Sequence, residues 1–149
     1  MIRTATHQDK PRAVEMLQAF AASLRPQLGD AVDLFGVEQA EHKFLSHLRG
    51  DFTFALAYEV DGVAQGLLLA RAFQHDFVPV WLAKEMAWWI EPAHRGRVAA
   101  RMLDIYERWA HLRNCRFAGM VGMGEDPEIA KLYRRRGYGG AETHYLKAL

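Results

Sequence analysis

The sequence predicts a single α/β domain over residues 1–149: a mixed, mostly antiparallel twisted sheet with helices on both faces. The 149 residues are 50% hydrophobic and 25% charged, which is typical of an average folded domain. Stretches of helical and strand periodicity follow one another in the order β-α-α-β-β-β-α-β-α-β. A strand meander followed by β-α-β units requires such a sheet, and no internal repeat or long linker divides the chain.

The first half of the chain contains a strand, two helices and a strand hairpin. Pro11 is well placed in the first turn of the first helix, and Gly50 is a stop signal for the second. Asp61-Gly62 is a strong turn signal between two runs rich in β-forming residues, and Gly66 marks a bulge or a close backbone approach. The predicted elements are Ile2–Ala5, Pro11–Leu24, Val37–Leu48, Thr53–Val60 and Val63–Phe73.

The second half alternates strands with helices. Pro79 argues against a strand between Gln74 and Leu82, so we expect a connecting loop there. Asn114 ends the long helix, and Gly137 ends the last helix at the position after its C-cap. The predicted elements are Glu85–Ile90, Arg97–Leu112, Cys115–Met123, Pro127–Arg136 and Thr143–Lys147.

The composition excludes several classes of protein. The 19 basic and 18 acidic residues give a net charge of +1, which does not indicate a general nucleic-acid binder. The one cysteine, Cys115, cannot form an internal disulfide, and the seven scattered histidines show no metal-ligand spacing. Met1–Lys10 lacks a signal-peptide core, and no apolar run is long enough to span a membrane. We therefore expect a cytoplasmic protein that binds neither metal, membrane nor specific nucleic acid.

Basic residues concentrate where the predicted strand Glu85–Ile90 turns into the long helix. His94, Arg95, Arg97 and Arg101 crowd this junction. The first backbone N–H groups of a helix have no internal partner, and the helix dipole adds partial positive charge to them. A strand, a short turn and a helix start with flanking arginines therefore predict a phosphate site. The alternative is an ordinary surface helix whose arginines lie in water.

This junction resembles the acyl-CoA motif of the GNAT N-acetyltransferase superfamily, Gln/Arg-x-x-Gly-x-Gly/Ala after a strand that ends in proline. Arg95 stands at the first position of the motif and Ala100 at the sixth. Val98 stands at the fourth, where the family has glycine, and its branched side chain narrows the approach to the backbone.

A second segment is similar to the later motif of the same superfamily, a helix that ends in tyrosine, three spacers, glycine and an aromatic residue. Tyr133, Gly137 and Tyr138 match this pattern. Asp126 stands where the family often has asparagine. The two motifs occur in the family's order, and the resemblance covers most of the chain, so it implies a GNAT-like fold.

The resemblance implies an N-acetyltransferase that moves an acetyl group from acetyl-CoA to a primary amine by direct attack in a ternary complex. It implies that Tyr133 protonates the leaving thiolate. Glu85 is our candidate general base, because a carboxylate among apolar neighbours has a raised pKa. The alternatives for Glu85 are an exposed charge at a strand edge and a salt-bridge partner. The cofactor-binding residues implied are Trp89, Ile90, Arg95, Gly96, Arg97, Val98, Ala99, Ala100, Asp126 and Tyr133.

Several points remain open at this stage. His75 and Trp88 are candidate substrate contacts, although adjacent strand residues face opposite sides and either Trp88 or Trp89 could line the cleft. The acceptor is a small-molecule or protein amine of unknown identity, the acyl chain length is open, and a homodimer is plausible from the family's habits. The rival interpretation is a catalytically degenerate GNAT-fold module for CoA binding or interaction, for which Val98 is the main argument. A dinucleotide or P-loop nucleotide-binding domain is disfavoured because its glycine-rich motifs are absent.

Overall fold

The computed structural model describes residues 1–124 and 127–149 and contains one five-stranded sheet. The strands lie in the order β1-β2-β3-β4-β5; the first four are antiparallel neighbours, and β5 runs parallel to β4. The predicted mixed, mostly antiparallel sheet is thus confirmed. The strands are β1 (Ile2–Thr4), β2 (Thr53–Val60), β3 (Val63–Gln74), β4 (Trp81–Ile90) and β5 (Cys115–Gly119).

Three substantial helices and one short one pack against the sheet in the described ranges, and a second short helix has no buried residue. The second predicted helix and the long helix have the bounds that the sequence predicted, whereas the short helix after Leu24 was not predicted. No helix in the described ranges has both the length and the apolar character of a membrane span. The helices are α1 (Lys10–Ser23), α2 (Arg25–Leu28), α3 (Val37–Leu48), α4 (Arg97–Leu112) and α5 (Ala130–Arg135).

The sheet separates two apolar layers, and the alternation along β3 shows how. Leu67 and Leu69 join the cluster formed with α1 and α3 on one face. Leu68 and Ala70 join the cluster formed with α4 and α5 on the other. Successive strand residues point to opposite faces, so an uninterrupted apolar run lets β3 be buried on both sides. Helices therefore cover both faces, as predicted.

In the β2–β3 hairpin, the Asp61-Gly62 turn and Gly66 have the conformation and the close strand contact that the sequence predicted. Asp61 and Gly62 have φ angles of 50° and 79°, as a tight hairpin turn requires. A Cβ atom at Gly66 would lie 3.2 Å from Cβ of Tyr58 and 3.3 Å from Cγ1 of Ile90. Gly66 therefore permits a close approach of neighbouring strands.

Two strand boundaries differ from the sequence prediction by four residues, and two others, at Thr4 and Gln74, differ by one. β4 begins at Trp81 rather than Glu85, because Pro79 lies in the turn before the strand and does not interrupt its ladder. β5 ends at Gly119 rather than Met123, and it is less buried than its apolar sequence indicated. Phe117 on β5 is 59% exposed. The reason is that β5 is the last strand of the described sheet and pairs on one side only.

The prediction of a last strand over Thr143–Lys147 is wrong. Residues 138–149 have no regular secondary structure, and Tyr145 and Leu146 are 91% and 69% exposed. Alternating residues form a strand only where another strand supplies hydrogen bonds, and the sequence pattern does not supply that partner. The last helix also begins later than predicted, at Ala130 rather than Pro127, after a turn.

Candidate active site

The last two strands of the sheet separate part-way along β4. In the described ranges, β5 pairs with β4 only as far as Lys84, which lies opposite Gly119. The remaining stretch, Glu85–Ile90, stays paired with β3 on its other side. The outer backbone N–H and C=O groups of this stretch therefore face a gap between the strands, where an extended ligand has access to them.

Glu85 lies where the strands separate, and only 5% of it is exposed. Its Oε2 accepts a hydrogen bond of 3.2 Å from the backbone N–H of Val121. Burial raises the pKa of the Glu85 carboxyl to about 7, although this hydrogen bond and the charges of Lys84 and Lys43 act in the opposite direction. A carboxyl with such a pKa changes protonation near neutral pH, as a general base must. The alternative of an exposed strand-edge charge is excluded.

Tyr133 projects from α5 towards Val121 and is 9% exposed. Its hydroxyl donates a hydrogen bond of 3.1 Å to the carbonyl oxygen of Val121. Burial, followed by the nearby charge of Glu85, raises the pKa of the Tyr133 hydroxyl above its ordinary value. The hydroxyl is therefore protonated at neutral pH. The two candidate catalytic side chains thus bind the N–H and the C=O of one residue, Val121.

The end of α5 fixes the position of Tyr133. The N–H of Gly137 donates to the carbonyl oxygen of Arg134 at 3.1 Å, and that of Tyr138 donates to the carbonyl oxygen of Tyr133 at 3.0 Å. With a φ of 87° at Gly137, this is a Schellman helix end. The hydroxyl of Tyr138 then donates to Oε1 of Glu107 on α4 at 3.0 Å. The tyrosine, glycine and aromatic pattern therefore helps to attach α5 to α4, together with the ion pairs of Arg136 with Asp104 and Glu107.

The two adjacent tryptophans lie on opposite faces of β4. Trp88 stacks on Tyr133 with ring centroids 6.4 Å apart and an interplanar angle of 26°. Trp89 packs against the cluster of α1 and α3, and the guanidinium carbon of Arg95 lies 5.0 Å from its ring centroid. Trp88 is therefore the tryptophan beside the candidate acid, which the sequence left open.

The start of α4 has the geometry of an anion site. Gly96 caps the helix with φ 127° and ψ −131°, a conformation that only glycine adopts readily. Helix geometry leaves the N–H groups of Arg97 and Val98 in the first turn without an intrahelical acceptor. Arg97 and Arg101, one turn apart, are both exposed. A diphosphate fits this set of donors and charges, because both the free N–H groups and the helix dipole favour an anion.

Arg95 and Val98 contribute in ways that the motif alone did not reveal. Nε of Arg95 donates to the carbonyl oxygen of Ile90 at 2.9 Å, so this arginine braces the end of β4. Val98 is partly buried and packs, like Ala99, against the cluster beneath α4. Its side chain therefore serves the core, and its backbone N–H is retained at the helix start. Ala100, at the last motif position, is also partly buried.

One predicted residue, His75, is not brought to this site. His75 lies in the β3–β4 turn, where its Nδ1 accepts hydrogen bonds from the N–H groups of Phe77 and Val78 at 3.1 and 3.3 Å. The strand partner of Glu85 is Ala70, five positions before His75, so the two residues are roughly 16 Å apart along the strand. Asp126 lies outside the described residues.

The chain matches no protein-family model and no curated protein by sequence, but it matches solved structures over its whole length. A ribosomal-protein-alanine N-acetyltransferase from Brucella melitensis biovar Abortus 2308 is 18% identical, with 100% of this chain and 98% of that chain covered and a TM-score of 0.75. The fold is that of the GNAT acetyltransferases. A transcriptional regulator from Bacillus halodurans C-125 is 14% identical, with 100% and 99% covered and a TM-score of 0.77. The aminoglycoside N-acetyltransferase AAC(6')-Iy in complex with CoA is 19% identical, with 100% and 93% covered and a TM-score of 0.68.

Within this GNAT fold, sequence reasoning missed two residues that hold the site together. Val121 acts through its backbone, so no side-chain pattern could have indicated it. Tyr106 is fully buried, and its hydroxyl donates to the carbonyl oxygen of Gly119 at 2.9 Å, at the end of β5. Its position in the sequence fits the apolar helical spacing of α4, which indicates packing only. A buried tyrosine hydroxyl usually finds a hydrogen-bond partner, which was the available signal.

Proposed function

We propose that this protein is an N-acetyltransferase that transfers an acetyl group from acetyl-CoA to a primary amine by direct attack in a ternary complex. The observation that carries the proposal is the joint attachment of Glu85 and Tyr133 to the backbone of Val121, beside the open edge of β4. Acyl transfer to an amine requires a general base and a general acid. Glu85, whose pKa is about 7, and the protonated hydroxyl of Tyr133 lie beside the gap between β4 and β5 and can fill these two roles.

The residues of the gap and of the α4 start fit acetyl-CoA. The N–H groups of Arg97 and Val98 and the side chains of Arg97 and Arg101 would hold the diphosphate. Arg95 supports that end of β4, because it is bonded to Ile90 and packed on Trp89. The open backbone around Trp89 and Ile90 would pair with the pantetheine arm.

The chemistry assigns one proton to each side chain. Glu85 accepts a proton from the amine, whose nitrogen forms a bond to the acetyl carbonyl carbon as the carbon–sulfur bond breaks. Tyr133 donates its hydroxyl proton to the departing sulfur. A backbone N–H on the open edge of β4 would donate to the carbonyl oxygen, where negative charge develops. The neighbours that carry the name N-acetyltransferase support this reaction class.

The first test is calorimetric titration of the protein with acetyl-CoA, with and without the double change Arg97→Ala and Arg101→Ala. We expect the double variant to bind at least about tenfold more weakly, roughly 1.4 kcal/mol. Arg108→Ala is the matched control, because Arg108 is exposed on the same helix but lies roughly 16 Å from its start. No binding by the wild-type protein would refute the proposal.

Turnover then separates the enzyme from the degenerate module. Thiol release in the presence of an amine supports the enzyme, whereas tight acetyl-CoA binding without turnover on any amine would favour a binding or interaction module. Val98 argues less for that module than its sequence position indicated, because its side chain packs inward. We keep the homodimer and the cytoplasmic location as proposals, and light scattering of the purified protein tests the first.

A further inference from the structure

The segment between β4 and α4, Glu91–Gly96, has few apolar contacts to hold it in place. Four of the six residues of this connecting turn are exposed, and Glu91 and His94 are partly buried. None of these six described residues belongs to either apolar cluster of the sheet. Hydrogen bonds and ion pairs therefore have to fix the position of the connecting turn. Arg95 supplies one such anchor through its hydrogen bond to Ile90.

A second anchor joins the first residue of the connecting turn, Glu91, to Arg12 of α1. Nη2 of Arg12 donates to Oε1 of Glu91 at 2.9 Å, although 79 positions separate the two residues in the chain. Nε of the same guanidinium donates to the carbonyl oxygen of Ala64 on β3 at 3.1 Å. Its Nη1 pairs with Glu15, one helical turn further along α1. Arg12 thus joins α1, β3 and the residue that follows β4.

The Arg12 anchor reaches the connecting turn from the face of the sheet opposite α4. Ala13 and Val14, which follow Arg12 in α1, belong to the cluster on the face of α1 and α3. Ile90, the last residue of β4, belongs to the cluster beneath α4. Successive residues of an extended chain point to opposite faces, so the Glu91 side chain is directed to Arg12. The side chains of this pair are 30% and 27% exposed, so water and salt screen it less than a fully exposed ion pair.

The backbone of the connecting turn links this anchor to the free N–H groups at the start of α4. The N–H of Glu91 donates to the carbonyl oxygen of Gln65 on β3, and that of His94 donates to the carbonyl oxygen of Glu91, both at 2.8 Å. The first N–H groups of α4, those of Arg97 and Val98, follow within four residues of His94. A shift of Glu91 would therefore move these N–H groups relative to the open edge of β4. A misplacement of about 1 Å in a positioned group is enough to change its interaction with a ligand substantially.

We propose that Arg12 is a positioning residue for the diphosphate of acetyl-CoA: through Glu91 it holds the connecting turn so that the free N–H groups at the start of α4 face the phosphates. This inference rests on the proposed acetyltransferase function and adds to it a residue that does not itself touch the cofactor. Removal of the pair between Arg12 and Glu91 should therefore weaken binding of the diphosphate. The groups bonded to Val121, which would carry out the acyl transfer, belong to another part of the site.

The binding test compares Arg12→Gln and Glu91→Gln with the wild-type protein by calorimetric titration of acetyl-CoA. We expect each variant to bind about tenfold more weakly, a difference of roughly 1.4 kcal/mol. A direct effect of charge on the diphosphate would have opposite signs, because Arg12→Gln removes a positive charge and Glu91→Gln a negative one. Weaker binding by both variants therefore reports a change of position. Since Arg12 acts through Glu91, the double variant should bind no more weakly than either single variant.

A matched control separates this pair from the other contacts of Arg12. Glu15→Gln removes the second ion pair of Arg12 and keeps the pair with Glu91, so its affinity should stay within about threefold of wild type. Arg12→Lys keeps a cation for Glu91 and should restore part of the affinity. Glu91→Gln leaves the bond from Arg12 to Ala64 in place, so it is the milder change, and urea unfolding shows whether each variant is folded.

Kinetics with S-acetylpantetheine, a thioester that lacks the diphosphate, distinguishes positioning from a general loss of structure. For Arg12→Gln and Glu91→Gln, the ratio of kcat/KM with acetyl-CoA to kcat/KM with S-acetylpantetheine should fall by about tenfold. The loss should appear in KM for acetyl-CoA rather than in kcat, because the diphosphate lies away from the reacting bond. An equal loss with both thioesters would indicate general damage to the site and would overturn the proposal.

Titration with inorganic pyrophosphate keeps this inference separate from the enzyme proposal. The ligand is added to ¹⁵N-labelled protein, and the amide signals of Arg97 and Val98 are followed by NMR. We expect pyrophosphate to shift both signals in the wild type and to bind about tenfold more weakly to Arg12→Gln and Glu91→Gln. That result without turnover on any amine supports the positioning role and refutes the enzyme. Equal affinity of wild type and variants, or no shift in the wild type, refutes the positioning role, and turnover then decides the enzyme proposal by itself.

Discussion

Replacing Glu85 with glutamine should make the protein more stable at alkaline pH. Burial raises the pKa of the Glu85 carboxyl from 4.5 to about 7 in the folded state. A folded pKa above the unfolded value favours folding while the carboxyl is protonated, and this contribution is lost as the pH rises towards and through about 7. The full difference corresponds to about 3 kcal/mol of unfolding free energy. Glutamine carries no charge and keeps an oxygen that can accept from Val121.

The measurement is urea unfolding followed by tryptophan fluorescence at pH 4.5, 6 and 8. Glu85→Gln and the wild-type protein should have nearly the same unfolding free energy at pH 4.5. The variant should be more stable by about 2 kcal/mol at pH 6 and by about 3 kcal/mol at pH 8. Glu38→Gln controls for the removal of an exposed carboxylate.

The same variant should be a poor enzyme, with kcat lower by about 10²–10⁴-fold, because it has no base. The wild-type kcat/KM should rise with pH through about 7 as Glu85 loses its proton. A stability difference between Glu85→Gln and wild type that does not change from pH 4.5 to pH 8 would refute the reasoning, since it would show that the carboxyl titrates alike in the folded and unfolded states.

Three further substitutions test the rest of the site. Tyr133→Phe keeps the ring stacked on Trp88 but removes the proton donor, so turnover should fall by about 10²-fold or more. Calorimetry should find acetyl-CoA binding unchanged. Full activity of this variant would exclude Tyr133 as the acid. Gly96→Ala has space for its methyl group but strains the positive φ, so urea unfolding should show a loss of about 1–3 kcal/mol and calorimetry weaker acetyl-CoA binding. Val98→Gly introduces the glycine that the family has at this position, yet it removes a packed side chain from a helix. We therefore expect the unfolding free energy to fall by about 2 kcal/mol and the acetyl-CoA affinity to stay within about threefold of wild type. A large gain in affinity would show that Val98 obstructs the site.

The elements that the sequence predicted best are those whose signals are local. Val37–Leu48 and Arg97–Leu112 were found with their observed bounds, because apolar residues recur at helical spacing between clear stop signals. The Asp61-Gly62 turn was equally local. The strands on either side of the gap were less well predicted. Their ends depend on pairing with distant residues, so β4 proved longer and β5 shorter than expected.

The site shows the same division. The sequence identified Glu85 as a candidate, the family resemblance added Tyr133, and the basic residues at the start of the long helix predicted an anion site there. It could not show that Trp88 rather than Trp89 lies beside Tyr133. The side of the sheet to which each tryptophan points depends on how β4 packs between the two layers of helices. The sequence also placed His75 near the chemistry, although that residue caps a distant turn.

The sequence by itself determined the three long helices, the β2–β3 hairpin and the sheet's mixed character, since these follow from spacing and turn residues. Only the tertiary structure decided that the backbone of Val121 joins the two candidate catalytic side chains and that Val98 packs inward. It also brought Lys43 of α3 and Arg71 of β3 to one cavity. Contacts of this kind join residues far apart in the chain, and their energies depend on burial, which no local pattern specifies.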